Sequence, residues 1–226
     1  MTGNENFSAA DVLYAGSARY PKYNKKETIA QGVIGDIPIY VSLGTPAVAD
    51  ADGVCASQSG TAATAMTIAG ALASGGSVTF DTPRAVVGAW TGTAVLTVTG
   101  TDVYGEALVE SSASGTSMTG KKAFKTVTSV VPSANITSAT VGSADVLGLP
   151  FRVSSKNKVQ VRFDGAEDGA TIVAAVDTAA TATTGDIRGT IDLSGTLNGS
   201  KEVSVILHGI DRSTKALAFG VAQFGG

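Results

Sequence analysis

Few side chains in this sequence are suited to chemistry. The chain carries one histidine, His208, and one cysteine, Cys55. A serine hydrolase needs a nucleophile elbow, GxSxG, and a base. The elbow is absent, and His208 lies in the apolar run VSVILHGI, where it reads as a structural histidine. Cys55, in ADADGVCASQSG, reads as an unpaired thiol of a reducing compartment rather than a catalytic one. One cysteine excludes an intrachain disulfide and a CxxC metal site, and one histidine excludes a multi-histidine metal site. No GxxxxGK[ST] phosphate loop is present, and glycines are so abundant that looser spacings carry no information. DGAEDG gathers Asp164, Glu167 and Asp168, oxygen ligands of the kind calcium takes, but without EF-hand spacing; it reads as a solvated turn. A glycosidase needs two carboxylates about 5–10 Å apart, and Asp102, Glu106 and Glu110 are nominated for such a pair by density alone. Trp90, in the strand-like VVGAWTGTAV, reads as a core residue rather than a sugar platform. No cofactor and no metal are expected, and no catalytic residue is assigned.

The elements around these residues are β in character. The 226 residues make one large domain or two small ones. Nearly half of them are Gly, Ala, Ser or Thr, and only 15% are charged, against about 25% in an average protein. A net charge of -3 lacks the basic excess that nucleic-acid binding requires. The low charge and a mean hydropathy of +0.22 exclude wholesale disorder. A helical membrane span takes about 20 predominantly apolar residues, and the most apolar stretch, MTIAGALASGG, is short and ends in glycines. The N-terminus has neither a basic start nor an apolar centre, so no secretory leader is expected and folding is expected in a cytoplasm.

Three regions follow one another. Residues 1–46 hold four of the five tyrosines and the dense basic run Arg19, Lys22, Lys25 and Lys26. Pro21, Pro38 and Pro46 interrupt regular structure there. Only SAADVLYAG (8–16) resembles a helix start, with Ser8 as cap and Gly16 as stop. The remainder reads as an extended arm, which either binds a partner or packs on its own domain. Tyrosine and arginine are enriched where proteins meet, so Tyr14, Arg19, Tyr20, Lys22, Tyr23, Lys25 and Lys26 are the expected partner-facing residues. Residues 47–76 read as a small-residue linker with a weak strand or short helix around MTIAGALA. Residues 77–226 read as β throughout. KVQVRF (158–163) alternates cleanly, VSVILHGI (203–210) is apolar on both faces, and ALAFGVAQF (216–224) lines up Leu217, Phe219 and Val221. TAVLTVTG and FKTVTSVV are rich in the β-branched residues that suit a pleated surface. Turn signals recur, among them Asp164-Gly165, Asp168-Gly169 and Asn198-Gly199. Many short strands with such punctuation predict an all-β sandwich or barrel-like fold. A small, polar stretch at 132–150 suggests subdomains at 77–140 and 141–226, or one continuous β-domain.

One stretch is more specific than composition. LTVTGTDVYGEALVESSASGTSMTGKKAFKTVTSVV (96–131) resembles segments of tailed-bacteriophage virion structural proteins of the head decoration (cement) and head-fibre type. ADVLGLPFRVSS (144–155), TTGDIRGTI (183–191) and the ending AFGVAQF are similar to the same group. The resemblance implies a non-enzymatic protein made in a host cytoplasm and placed on the capsid surface of a virion. There it would clamp neighbouring subunits of the major capsid protein, or bind other virion subunits, as a homo-oligomer, a dimer or trimer. From the acidic balance and the lack of a long apolar stretch, no nucleic-acid or membrane partner is expected. A tail-tube, head-fibre or tail-fibre subunit is the alternative, and a carbohydrate-binding adhesin module a more distant one. In the decoration role the arm would lie along the shell, with its tyrosines as packing anchors and its basic residues against acidic shell groups.

Overall fold

A computed structural model of the chain describes residues 38–175 and 180–226, together with the backbone of Glu27–Ile29 and Gly32–Ile34. The fold is nearly all β, as the alternation predicts, with antiparallel sheets of ten and four strands. Glu27–Ile29 (β1) and Gly32–Ile34 (β2) pair with each other as a separate two-stranded ribbon. The partner-facing residues Tyr14, Arg19, Tyr20, Lys22, Tyr23, Lys25 and Lys26, and the helix start at 8–16, lie outside the described residues. The end of the expected arm does not stay apart from the body: Ile39–Gly44 (β3) is a strand of the four-stranded sheet.

The ten-stranded sheet comprises Cys55–Gly60 (β4), Ala73–Ser74 (β5), Ser77–Ala94 (β6), Leu96–Thr101 (β7), Ala107–Ser111 (β8), Gly115–Thr119 (β9), Phe124–Pro132 (β10) and Ile136–Gly148 (β11), joined later by Thr171–Val173 and Thr190–Asp192. The long β6 pairs with β11 on one side and β10 on the other. Val78, Phe80, Val86 and Trp90 of β6 pack with Leu96, Val98, Leu108, Phe124 and Val127 in a first hydrophobic core. The indole N–H of Trp90 donates to the Gly115 carbonyl at 2.9 Å. Trp90 is therefore a core residue and presents no platform to a sugar. The stretch 47–76 is more than a linker, because Val54, Cys55, Met66 and Ile68 are buried in this core.

The four-stranded sheet runs in the order Ala166–Asp168 (β13), Val159–Phe163 (β12), Val203–Leu207 (β16), β3. Asp164 and Gly165 both have positive φ, 54° and 78°, as the tight β12–β13 turn requires. Val161, Val203, Val205 and Leu207 meet Leu147, Leu149, Ile191 and Leu197 in a second core. Thr171–Val173 (β14) and Thr190–Asp192 (β15) extend the large sheet over that core. Strand β16 stops at Leu207, and His208 is exposed beyond it, so the histidine is not buried among its apolar neighbours. The ending ALAFGVAQF forms no strand. Lys215–Phe219 (α1) is one helical turn, capped by the Thr214 hydroxyl, which accepts from the Leu217 N–H, and followed by Gly220 at φ 84°. The alternation of Leu217, Phe219 and Val221 gave no sign of that cap.

Strand β11 runs through the expected boundary near residue 140. Ile136, Ala139 and Val141 belong to the first core and Leu147 to the second. Its small residues reflect close packing rather than a linker. A Cβ on Gly142 would lie 1.9 Å from the Asp50 carbonyl oxygen, whose segment is tied to β11 by the Ser143 N–H at 2.7 Å. Gly142→Ala is expected to destabilise the fold by about 1–3 kcal/mol through this overpacking. Urea unfolding measures it, and a loss of only a few tenths would show that the 50–51 segment yields.

Candidate functional site

The carboxylates nominated by density are built into the junction between the two cores. Asp102 directly follows β7, and its Oδ1 accepts from the Tyr104 N–H at 2.8 Å and the Glu106 N–H at 2.9 Å. One oxygen thus organises the whole β7–β8 turn, as an Asx side chain does. The other, Oδ2, takes the Arg188 Nη2 at 2.5 Å. Both residues are almost wholly buried, at 1% and 2% exposure. Arg188 belongs to the second core's side: its carbonyl accepts from the Val153 N–H, and the Gly189 carbonyl from the Leu149 N–H. The ion pair therefore fastens a turn of the first core to a segment that leads into β15. The Arg188 guanidinium also lies 5.1 Å from the Tyr104 ring centroid.

A second buried group adjoins it. Glu110 on β8 accepts from the backbone N–H groups of Lys121 (2.7 Å) and Lys122 (3.2 Å). The Lys122 ammonium donates to the carbonyls of Val109 (2.8 Å) and Thr181 (2.7 Å) and lies over the Phe224 ring. Asp186 accepts from the N–H groups of Ala123 and Arg188 and from the Gln223 amide. Burial pushes the Glu110 carboxyl up to about 7, against the pull of the Lys121 and Lys122 amides. Burial also raises Asp186 and lowers Lys122, with neighbouring charges opposing in each case. These groups join β8, the start of β10, the 181–188 segment and the C-terminal residues. The Phe224 carbonyl completes the joint by accepting from the Val109 N–H at 2.7 Å on the outer edge of β8.

The small sheet is fastened by a third group. Buried Arg84 on β6 bonds Asp81 at 2.7 Å and the Ala47 carbonyl at 3.1 Å, while the Ala47 N–H donates to Asp81 at 2.6 Å. The Thr82 hydroxyl donates to the Leu43 carbonyl at 2.9 Å. The end of β3 is thereby bound to the central strand of the large sheet.

Beside the Asp102–Arg188 pair lies a groove of about 520 Å³, lined by Tyr104, Glu106, Arg188, Phe219 and Val221 among others. Phe219 meets Tyr104 edge to face at 5.3 Å and Phe151 at 5.5 Å. The Tyr104 hydroxyl donates to the Pro150 carbonyl at 2.6 Å.

The structure thus brings Asp102 and Glu110 to one buried joint and leaves Glu106 on the groove. Asp102, Glu110 and Asp186 are each engaged by backbone amides or a cation. Cys55 is buried among apolar side chains that push its thiol up to about 11, which removes the thiolate a nucleophile needs. Asp168, in the stretch expected to be a solvated turn, is the last residue of β13 and accepts from the Ser194 backbone N–H and hydroxyl. Among the described residues no group of three or more His, Cys, Asp or Glu is placed to hold a metal ion. Sequence reasoning missed Arg84, Lys122, Asp186 and Arg188. The alternation Asp186-Ile187-Arg188 is also that of a solvated strand face, so no local signal marks these charges as buried. Set against protein-family models, curated proteins and solved structures, the chain matches none of them.

Proposed function

We propose that this is a non-enzymatic virion structural protein that binds the outside of a phage capsid and stabilises it by clamping neighbouring capsid subunits. The observation that carries the reading is the use made of the buried charges. Asp102, Glu110, Lys122, Asp186, Arg188 and Arg84 all bond backbone groups or opposite charges that fasten one sheet or core to another. A catalytic acid or base must keep a proton or lone pair for its substrate; these groups hold a rigid body instead. The same body supports the placement of the arm, because the N-terminal residues join it at β3, an edge strand of the small sheet. In this reading the basic and aromatic run from Arg19 to Lys26 supplies the contacts to the capsid protein. A homo-oligomer on the capsid surface suits this role.

Sedimentation with purified, undecorated shells tests the proposal. The full chain is expected to bind saturably. Tyr20→Ser and Tyr23→Ser together, or charge reversal at Lys22, Lys25 and Lys26, are expected to weaken binding at least about tenfold, the loss of a modest hot spot. Absence of binding by the full chain would overturn the reading and favour a tail or fibre subunit.

A further inference from the structure

The two edges of the small sheet are built differently. Strand β13 is three residues long, and Glu167 and Asp168 put two carboxylates on it. Short, charged edges of this kind resist pairing with another chain. Strand β3, at the other edge, has six residues, and residues 37–49 contain no charged side chain. Ile39–Ser42 pairs with β16 without a break in register, and no described strand lies on its other side. The outer edge of β8, by contrast, is covered. There the Val109 N–H donates to the Phe224 carbonyl and the Ser111 N–H to the Ala182 carbonyl, each at 2.7 Å.

The second core is also open along β3. Val203, Val205 and Leu207 on the neighbouring strand are at 0% exposure, whereas Ile39, Val41 and Leu43, packed against the same core, are only partly buried. On the opposite face Tyr40 is 60% exposed and Ser42 lies exposed beside it. Both hydroxyls donate to Glu202. A strand that completes the core here must alternate apolar and polar side chains in the same way.

We infer that β3 pairs antiparallel with β3 of a second copy, joining two four-stranded sheets into one of eight strands. A two-fold axis perpendicular to the sheet turns Ile39, Val41 and Leu43 of both copies to one face and Tyr40 and Ser42 to the other. The apolar rows then cover each other's open side. Because the stretch is uncharged, self-pairing sets no like charges opposite one another. The pairing needs no shell, so it is tested on the free protein and stands apart from the capsid reading.

Sedimentation velocity of the full chain is the test. One such edge buries less than about 1,200 Å², the lower bound of a stable interface, so a Kd of about 10–100 µM is expected. The average mass should rise from monomer toward dimer between about 5 and about 500 µM. Tyr40→Lys with Ser42→Lys sets like charges along the edge at exposed positions. The double variant is expected to weaken dimerisation at least about tenfold. Tyr40→Glu with Ser42→Glu should do the same, and an equimolar mixture of the two double variants should dimerise again. Recovery on mixing separates a repelled edge from a misfolded chain. A monomer at about 500 µM would overturn the inference. So would unchanged dimerisation of the lysine variant, which would place the contact elsewhere, or a mixture that stays monomeric.

Discussion

Arg188→Met is expected to lower the free energy of unfolding by about 3–5 kcal/mol, the usual effect of leaving a buried charge without its partner. Asp102 is 1% exposed and keeps its two backbone N–H donors in the variant, but no cation faces its second oxygen. Whole domains are stable by only about 5–15 kcal/mol, so this single change removes a large part of the margin. Because the pair spans the β7–β8 turn and the 186–189 segment, the loss should fall on the joint between the two cores. The double variant Asp102→Asn with Arg188→Met removes both charges while keeping an acceptor for the turn. It is expected to recover at least about 1 kcal/mol relative to the single variant. Urea unfolding of the four proteins in the cycle measures the coupling. A loss below about 1 kcal/mol in Arg188→Met, the range of exposed pairs, would mean that the pair contributes no more than a surface one.

Stability should fall as pH rises from about 4.5 to about 7, because Glu110 ionises later in the folded chain than its ordinary value of 4.5. The sign follows from linkage: the folded protein binds this proton more tightly than the unfolded chain. The contribution is fully present below about 4.5 and is lost as pH passes the folded value of about 7. The displacement from 4.5 to about 7, at about 1.4 kcal/mol per pH unit, sets a ceiling of about 3 kcal/mol. Asp186, raised by the same burial, acts in the same direction. Lys122, which burial pulls down, acts in the opposite sense only where its ammonium begins to lose its proton. Glu110→Gln should flatten the slope across this window. Unfolding midpoints at pH 5 and pH 7.5 for both proteins decide it, and equal slopes would assign the pH dependence to other groups.

Much of the sheet architecture was legible from local pattern. KVQVRF alternates as β12 does, and Asp164-Gly165 takes the positive dihedrals its types permit. Trp90 was placed in the core by its strand-like surroundings. The small-residue stretches were harder, because sparse apolar area at 47–76 and 132–150 has two physical causes. A linker needs no core, whereas a closely approached strand has no room for one; Gly142 belongs to the second kind. The ending was misread because a three-residue alternation is too short to separate a strand from one helical turn, and Thr214 decides the matter. The joint itself was half legible. Asp102 and Glu110 were noticed for their density, but their setting is made by residues far away in the chain, such as Arg188, 86 positions from Asp102. Local periodicity carries no record of such pairings.

In the proposed role the protein is one device: a body whose cores are fastened by buried charges, and an N-terminal segment whose tyrosines and lysines would meet a shell. The most direct measurement is the disassembly temperature of undecorated capsid shells, followed by calorimetry with and without saturating protein. The account predicts a rise in that temperature with the full chain, and none when the residues from Arg19 to Lys26 are stripped of their aromatic and basic side chains. An unchanged disassembly temperature at saturation with the full chain would contradict it.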